Sequence, residues 1–377
     1  MKQRGTKKIE ELIDYSSVNV FEEADVYPIV FRIINSQIQT SVRTKVMLDL
    51  INAKNVVCIN KERFFSDIYW DKYFFPKKIV ETVMKISNFK KIFQYNFQVV
   101  GAATVNEAYN IKKYLKEIDN ETEKHRKLIN TGTIDPFKSL WGIKTTKYIK
   151  GSYLEPVISD NKLKIISKTR LKQAHSSKII IAGMSLSIEA FFDNGNYLAG
   201  KSTVIVLGEN TKLKALTAVL NSKLISFWFS MNYNSLTMAG GYFNIGTNEI
   251  NSIPVPENAF TDYRKSLYFF TEANQYLNTV ESTDVSLFIN ISNALVVELY
   301  FEKEIHESNL NILQFVEQDL KEVLGEDDFE QLSDEQKEKV IEELHKRWSN
   351  PDSEIVKRMN SFAEKSPDIL KPILDSK

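Results

Sequence analysis

Between Arg126 and Lys178 the chain places twelve cations, Arg126, Lys127, Lys138, Lys144, Lys147, Lys150, Lys162, Lys164, Lys168, Arg170, Lys172 and Lys178, against three carboxylates, Asp135, Glu155 and Asp160. Phe137, Trp141, Tyr148 and Tyr153 are interleaved with them. Lysine and arginine neutralise phosphates, while polar and planar side chains reach base edges, so the mixture suits a nucleic-acid surface. Six phosphate contacts would give a log–log salt slope of roughly −5. The same composition also serves solubility and the protection of strand edges. Trp141 and Tyr148 taken alone read as core residues.

Two segments carry side chains suited to bases. Lys168–Ser177 (KTRLKQAHSS) is polar and glycine-free between β-type runs, and is expected to be a loop. There Arg170 suits guanine, and Gln173 or His175 suits adenine or thymine edges. Asn232–Asn244 (NYNSLTMAGGYFN) holds Gly240-Gly241, which lets backbone approach a ligand or makes a turn. The expected DNA contacts are Arg126, Lys127, Lys138, Lys144, Lys168, Arg170, Lys172, Gln173 and His175, with Lys201, Tyr242 and Asn244 further on.

Catalytic patterns are missing from the sequence. It has no G-x-G-x-x-G, P-loop or G-x-S-x-G element. Four scattered histidines and one cysteine offer no zinc spacing. No Pro-Pro pair occurs, so the acidic-or-Asn, Pro-Pro, aromatic motif that holds a flipped adenine cannot be present in its usual form. Asp160-Asn161-Lys162 has the D-x-K form of a nuclease, but no suitable carboxylate precedes it and a turn explains it better.

The elements that must position these residues follow from periodicity. Ile9–Ile13 reads as a short amphipathic helix. Tyr27–Ile34 reads as a strand buried on both faces, whose sheet partners the few preceding residues cannot supply, as if the chain began inside a larger domain. Strands are expected at VMLDLI, NVVCIN, FQVVGAA, IKTTKYI, LKIIS, KIIIAGM and STVIVLG, and helices at KKIVETVMKI and NEAYNIKKYLKE. Residues 211–231 read as one helix capped by Thr211, and IPVP at 253–256 stops regular structure. The rest is helical, with a capping box at Ser333 and Gln336, a Val340, Leu344, Trp348 stripe, and a last helix opening at Ser366-Pro367.

Formal charge sums to zero but is segregated. Residues 1–180 carry 32 Lys and Arg against 19 Asp and Glu, and residues 261–377 carry 13 against 25. This suggests a basic working surface followed by an acidic module. The single Cys58 cannot form an internal disulfide, which fits a reducing cytoplasm. No apolar run reaches the length of a membrane span.

Three blocks in order resemble the TaqI-type C-terminal specificity domain of type II and type IIG adenine-specific DNA methyltransferases. They are INTGTIDPFKSLWGIKTTKYIKGSYLEPVI (129–158), KIIIAGMSLSIEAFFDNGNYLAGKSTVIVL, and LNSKLISFWFSMN with GGYFNI and INSIPVP. The closing pattern is also similar to type I specificity subunits. LIDYSSVNVFEEADVYPIVFRI (12–33) resembles the last strands of the methyltransferase domain, and NALVVELYF (293–301) the C-terminal helical region.

The resemblance implies recognition of double-stranded DNA, with a catalytic methyltransferase or endonuclease domain or subunit as partner. It further implies base flipping and N6-adenine methylation from S-adenosylmethionine, bound on a domain outside this chain. It supplies no catalytic residue here, and the contact residues above rest on their chemistry. The expected architecture is α+β. Residues 1–45 would be the final strands of a methyltransferase-like domain, 46–260 a mixed-sheet target-recognition domain with a long helix, and 261–377 an acidic helical tail. Two other readings stay open: one half of a split active methyltransferase, and a defence-system component that does not bind DNA.

Overall fold

The computed structural model describes residues 7–15, 18, 20, 28–35, 40–67, 70–118, 124–234, 237, 241–280, 285–365 and 373. They form an α+β protein that divides into two compact units, residues 1–86 with 230–235, and residues 87–229 with 236–377. The helix expected at Ser366-Pro367 lies outside the described residues.

In the first unit β1 (Lys7–Asp14), β2 (Ile29–Asn35), β3 (Ser41–Met47) and β4 (Ala53–Asn60) make a sheet of order β2-β1-β3-β4. Helices α1 (Lys61–Ser66) and α2 (Lys77–Ser87) follow, and Phe64 and Val80 from them join Ile9, Leu12, Val42 and Ile59 in a core. Two expectations fail here. Ile9–Ile13 is strand, not helix. A bulge between Ile9 and Glu11 puts Ile9 and Leu12 on one face, so a spacing of three imitates helical periodicity. The strand around Val30 is not buried: Ile29, Val30, Phe31 and Ile33 are 40–52% exposed. It pairs with β1, the segment just before it, which the sequence had seemed unable to supply. VMLDLI also stops early as a strand, because Asp49 accepts from the Ile51 and Asn52 amides and turns the chain.

The second unit opens with β5 (Gln98–Gly101), α3 (Val105–Lys112), β6 (Lys116–Glu117), β7 (His125–Ile129), β8 (Ile134–Asp135) and β9 (Lys138–Ser139). The hairpin β10 (Thr146–Tyr148) and β11 (Gly151–Tyr153) comes next, then β12 (Pro156–Ser159), α4 (Asp160–Ile166) and α5 (Lys168–His175). β13 (Ser177–Ala182), β15 (Ala190–Asn194), β16 (Tyr197–Ala199) and β17 (Thr203–Leu207) complete two sheets, of order β16-β7-β12-β6 and β15-β13-β17-β5, while β14 (Met184–Ser185) lies outside both. Ile129, Ala199, Ile180, Phe191 and Ile205 pack together where the sheets meet. On the far side of the first sheet, Ala108, Ile111, Leu163 and Ala174 from α3, α4 and α5 pack on Leu128, Ile158 and Leu198. Each sheet thus buries both faces, which is why KIII in β13 is apolar without alternation.

Serines make two helices where a strand and a loop were expected. Ser159 accepts from the Lys162 amide and Ser167 from the Arg170 amide, so LKIIS belongs to α4 and KTRLKQAH is α5. Asp160-Asn161 is the first turn of α4 rather than an isolated turn. Residues 211–231 are also two helices, α6 (Asn210–Leu220) and α7 (Lys223–Tyr233), broken at Asn221-Ser222. Thr211 does not cap α6; its hydroxyl donates to Glu209.

After β18 (Phe243–Asn244) and α8 (Thr247–Asn251) the second unit is helical: α9 (Arg264–Leu277), α10 (Val285–Tyr300), α11 (Glu302–Glu307), α12 (Leu313–Leu324), α13 (Asp334–Trp348) and α14 (Glu354–Lys365). The capping box at Ser333 and Gln336 is present, and Val340, Leu344 and Trp348 are buried. Among the described residues no helix is long and apolar enough to cross a membrane.

Candidate nucleic-acid interface

Strand register brings several loops to one end of both sheets. β13 leaves at Ala182 beside Thr203, where β17 enters, and β5 ends at Gly101 opposite Val204. β7 ends at Ile129 alongside Ala199 of β16. Hydrogen bonds then tie the emerging loops. Asn130 Nδ2 donates to the Lys147 carbonyl at 2.9 Å, and its Oδ1 accepts from the Ser202 amide at 3.1 Å. The Thr131 hydroxyl accepts from the Met184 amide and donates to its carbonyl. Gly183 donates to Ser202 and accepts from Ile245. A Cβ on Gly183 would meet the Ser202 carbonyl oxygen at 2.5 Å, and one on Gly200 would meet Asn130 Oδ1 at 2.6 Å. Both approaches therefore require glycine.

This rim is built from residues 101–106, 130–134, 146–148, 183–188, 200–203 and 241–246, which contain no aspartate or glutamate. Lys147 and Lys201 are exposed there, with Met184, Leu186, Tyr242 and Asn244. Carboxylates adjoin it at Glu107, Asp135, Glu189 and Glu249, the last accepting from the Gly246 amide at 3.0 Å. Burial opposes ionisation of Glu107, but the Thr104 amide, the Ser167 hydroxyl and Arg170 prevail and hold its pKa at about 2. Burial, with repulsion from Asp135, pushes Glu189 up to about 7, so much of it is neutral near that pH. The rim loops themselves thus carry lysines and neutral polar groups.

Of the residues expected from sequence, the rim gathers Lys201, Tyr242 and Asn244. Others lie elsewhere and are engaged within the chain. Arg126 forks onto Asp160 at 2.9 and 3.2 Å and donates to the Gly195 carbonyl. His175 Nε2 is 2.9 Å from the same carboxylate. Asp160, the acid of the D-x-K fragment, is therefore a structural anchor; burial opposes its ionisation, but Arg126 and His175 hold its pKa below the usual range.

Arg170 binds Glu107, the Gly101 carbonyl and Gln173. Lys127 lies 4.5 Å from the centre of the half-buried Trp141 ring. Lys178 is buried against Asp193, both side chains being 1% exposed. Lys168 and Lys172 are exposed on α5 and Lys144 is exposed on its own turn. Lys138 lines a separate cleft of about 600 Å³ with Phe191, Asn196, Tyr197 and Tyr276. Tyr148 is buried in the core as expected.

Sequence reasoning missed Asn130 as the hub of the rim, and Met184 and Leu186 as exposed apolar residues. Their signal was the trio of acid-free glycine segments NTGT, AGMSLS and AGKS, each leaving a strand at the same end. Among the described residues no group of three His, Cys, Asp or Glu is placed to hold a metal.

The model of the TaqI-like C-terminal specificity domain matches residues 73–255, which include every rim loop. No curated protein matches the chain. Among solved structures, the type IIG restriction endonuclease BpuSI aligns over 78% of this chain and 44% of its own, at 9% identity and a TM-score of 0.33. The type IIL restriction-modification enzyme MmeI, in complex with DNA, aligns over 97% and 46%, at 8% identity and a TM-score of 0.35. The chain spans less than half the length of either. Residues 73–255 of this chain are thus similar to the TaqI-like C-terminal specificity domain.

Proposed function

We propose that this chain recognises a short sequence of double-stranded DNA for a restriction–modification system. The observation that carries the proposal is the acid-free loop rim lying wholly inside the specificity-domain segment. Exposed lysines hold phosphates there, and neutral polar and planar side chains face the bases. Methylation of adenine N6 from S-adenosylmethionine belongs to a catalytic domain or subunit that works with this chain. Target recognition then positions the duplex for that partner to flip and modify a base.

The test is a gel-shift titration of the whole chain against duplex DNA at several salt concentrations. Binding through Lys147, Lys201 and two further surface cations gives a log–log slope of roughly −3 to −4. This is shallower than the basic segment taken whole suggests, because Arg126, Arg170 and Lys178 are engaged internally. Absence of salt-sensitive binding, alone and with a methyltransferase partner, refutes the proposal.

A further inference from the structure

Met184 pairs with Asn244 and Ser185 with Phe243, so β14 and β18 form a two-stranded antiparallel ribbon on the rim. Burial alternates along it as the pleat demands. Ser185 and Phe243 point inward, 3% and 7% exposed, and Phe243 packs edge-on against Phe229 at 5.4 Å. Met184, Leu186 and Tyr242 are 43%, 57% and 44% exposed, and Asn244 is exposed with them. Continuing the register puts Leu186 across from Tyr242. The outward face is therefore a compact square of three large apolar side chains and one carboxamide. On a protein surface such a patch marks a contact site.

We infer that this ribbon enters the DNA major groove and reads an adenine–thymine step, with the Asn244 carboxamide on adenine and Leu186 and Met184 against thymine methyls. The inference rests on the DNA-recognition reading above. The major groove admits a two-stranded ribbon, Asn pairs two-pronged with adenine N6 and N7, and the thymine methyl is the apolar group exposed there. Charge favours this occupant. Lys147 and Lys201 flank the ribbon, tied to it through Asn130, Ser202 and Gly183; the loops that form the rim contain no aspartate or glutamate, and the adjoining Glu249 carboxylate is taken up by the Gly246 amide. The ribbon is also held before any ligand arrives. Both backbone groups of Met184 bond the Thr131 hydroxyl, the Ile245 amide donates to Gly183, and the Ser185 hydroxyl donates to the Ser187 carbonyl. A fixed ribbon presents its side chains without the entropic cost of ordering a loop.

The test uses the whole chain and a pool of duplexes with a randomised central segment, from which bound molecules are recovered and sequenced. Wild type should enrich a site containing adenine–thymine pairs. Asn244→Ala should lose discrimination at one adenine by about 5- to 100-fold and keep the other positions. Leu186→Ser should lose the thymine preference beside it. Replacing that thymine by uracil, which removes the methyl, should weaken wild type and leave the Leu186→Ser variant unchanged. If Asn244→Ala melts early, Asn244→Asp carries the test at equal size, since a carboxylate favours cytosine over adenine. An enriched site identical in all variants overturns the ribbon assignment and leaves DNA recognition standing. No enriched site with wild type, alone and with a methyltransferase partner, overturns both.

Discussion

The helical side of the second unit and its loop rim spend their positive charge in opposite ways. On the helical side, Arg126, Arg170 and Lys178 are structural, while Lys168 and Lys172 stay exposed on α5. Arg126 joins β7 to α4, Arg170 joins α5 to α3 and β5, and Lys178 is sealed against Asp193 with further bonds to the Ala174 and Ser176 carbonyls. On the rim, Lys147 and Lys201 stand exposed beside backbone bonded to the neutral Asn130 side chain. The difference teaches that cation density along a sequence measures neither accessible charge nor ligand contact. What matters is whether a carboxylate or carbonyl in the fold reaches each cation first.

Breaking the two sets should give opposite results. The largest effect is expected at the buried pair: Lys178→Ala leaves Asp193 buried and unpartnered by a cation, costing about 3–5 kcal/mol in thermal or denaturant unfolding. Arg170→Ala removes bonds to Glu107, Gly101 and Gln173 and should cost about 2 kcal/mol. DNA affinity of the folded fraction should fall little in either variant. The rim is the reverse. Lys147→Ala with Lys201→Ala should leave unfolding within about 0.5 kcal/mol of wild type, while the salt slope of DNA binding becomes shallower by about 2. A stability loss in the rim pair, or unchanged binding, would erase the contrast.

The smallest effect concerns Glu189. Its folded pKa, about 7, lies above the ordinary carboxylate value, so the folded state holds a proton that the unfolded chain releases. Its favourable contribution is complete below the unfolded pKa and is lost as pH rises through about 7. Glu189→Gln should therefore flatten the decline in unfolding stability between pH 5 and 8, measured by melting at each pH. A decline as steep as wild type would assign it to other groups.

Much of this fold is legible where local chemistry and tertiary packing agree. The Ser333 capping box and the unbroken KIII strand are such places. It is illegible where a single residue changes the geometric rule. The bulge in β1 makes a strand look helical, and the cap serines Ser159 and Ser167 make helices of polar stretches with weak periodicity. The site followed the same division. Tyr242 and Asn244, which follow the glycine pair in the sequence, and Lys201 are the expected contacts that the fold places on the rim. Asn130 was not visible, since its importance lies in bonds to Lys147 and Ser202, 17 and 72 residues away. Arg126, Arg170 and His175 have suitable chemistry for bases, but only the fold shows that Asp160 and Glu107 already hold them.

The glycines at the rim carry a consequence for how such a surface changes over time. Gly183 and Gly200 let neighbouring loops touch through main chain and through Asn130, so the frame is set by groups that the outward residues do not supply. Leu186, Tyr242 and Asn244 then resemble type set in a fixed forme. Each can be exchanged at little structural cost, whereas a methyl group added at either glycine would shift every letter at once.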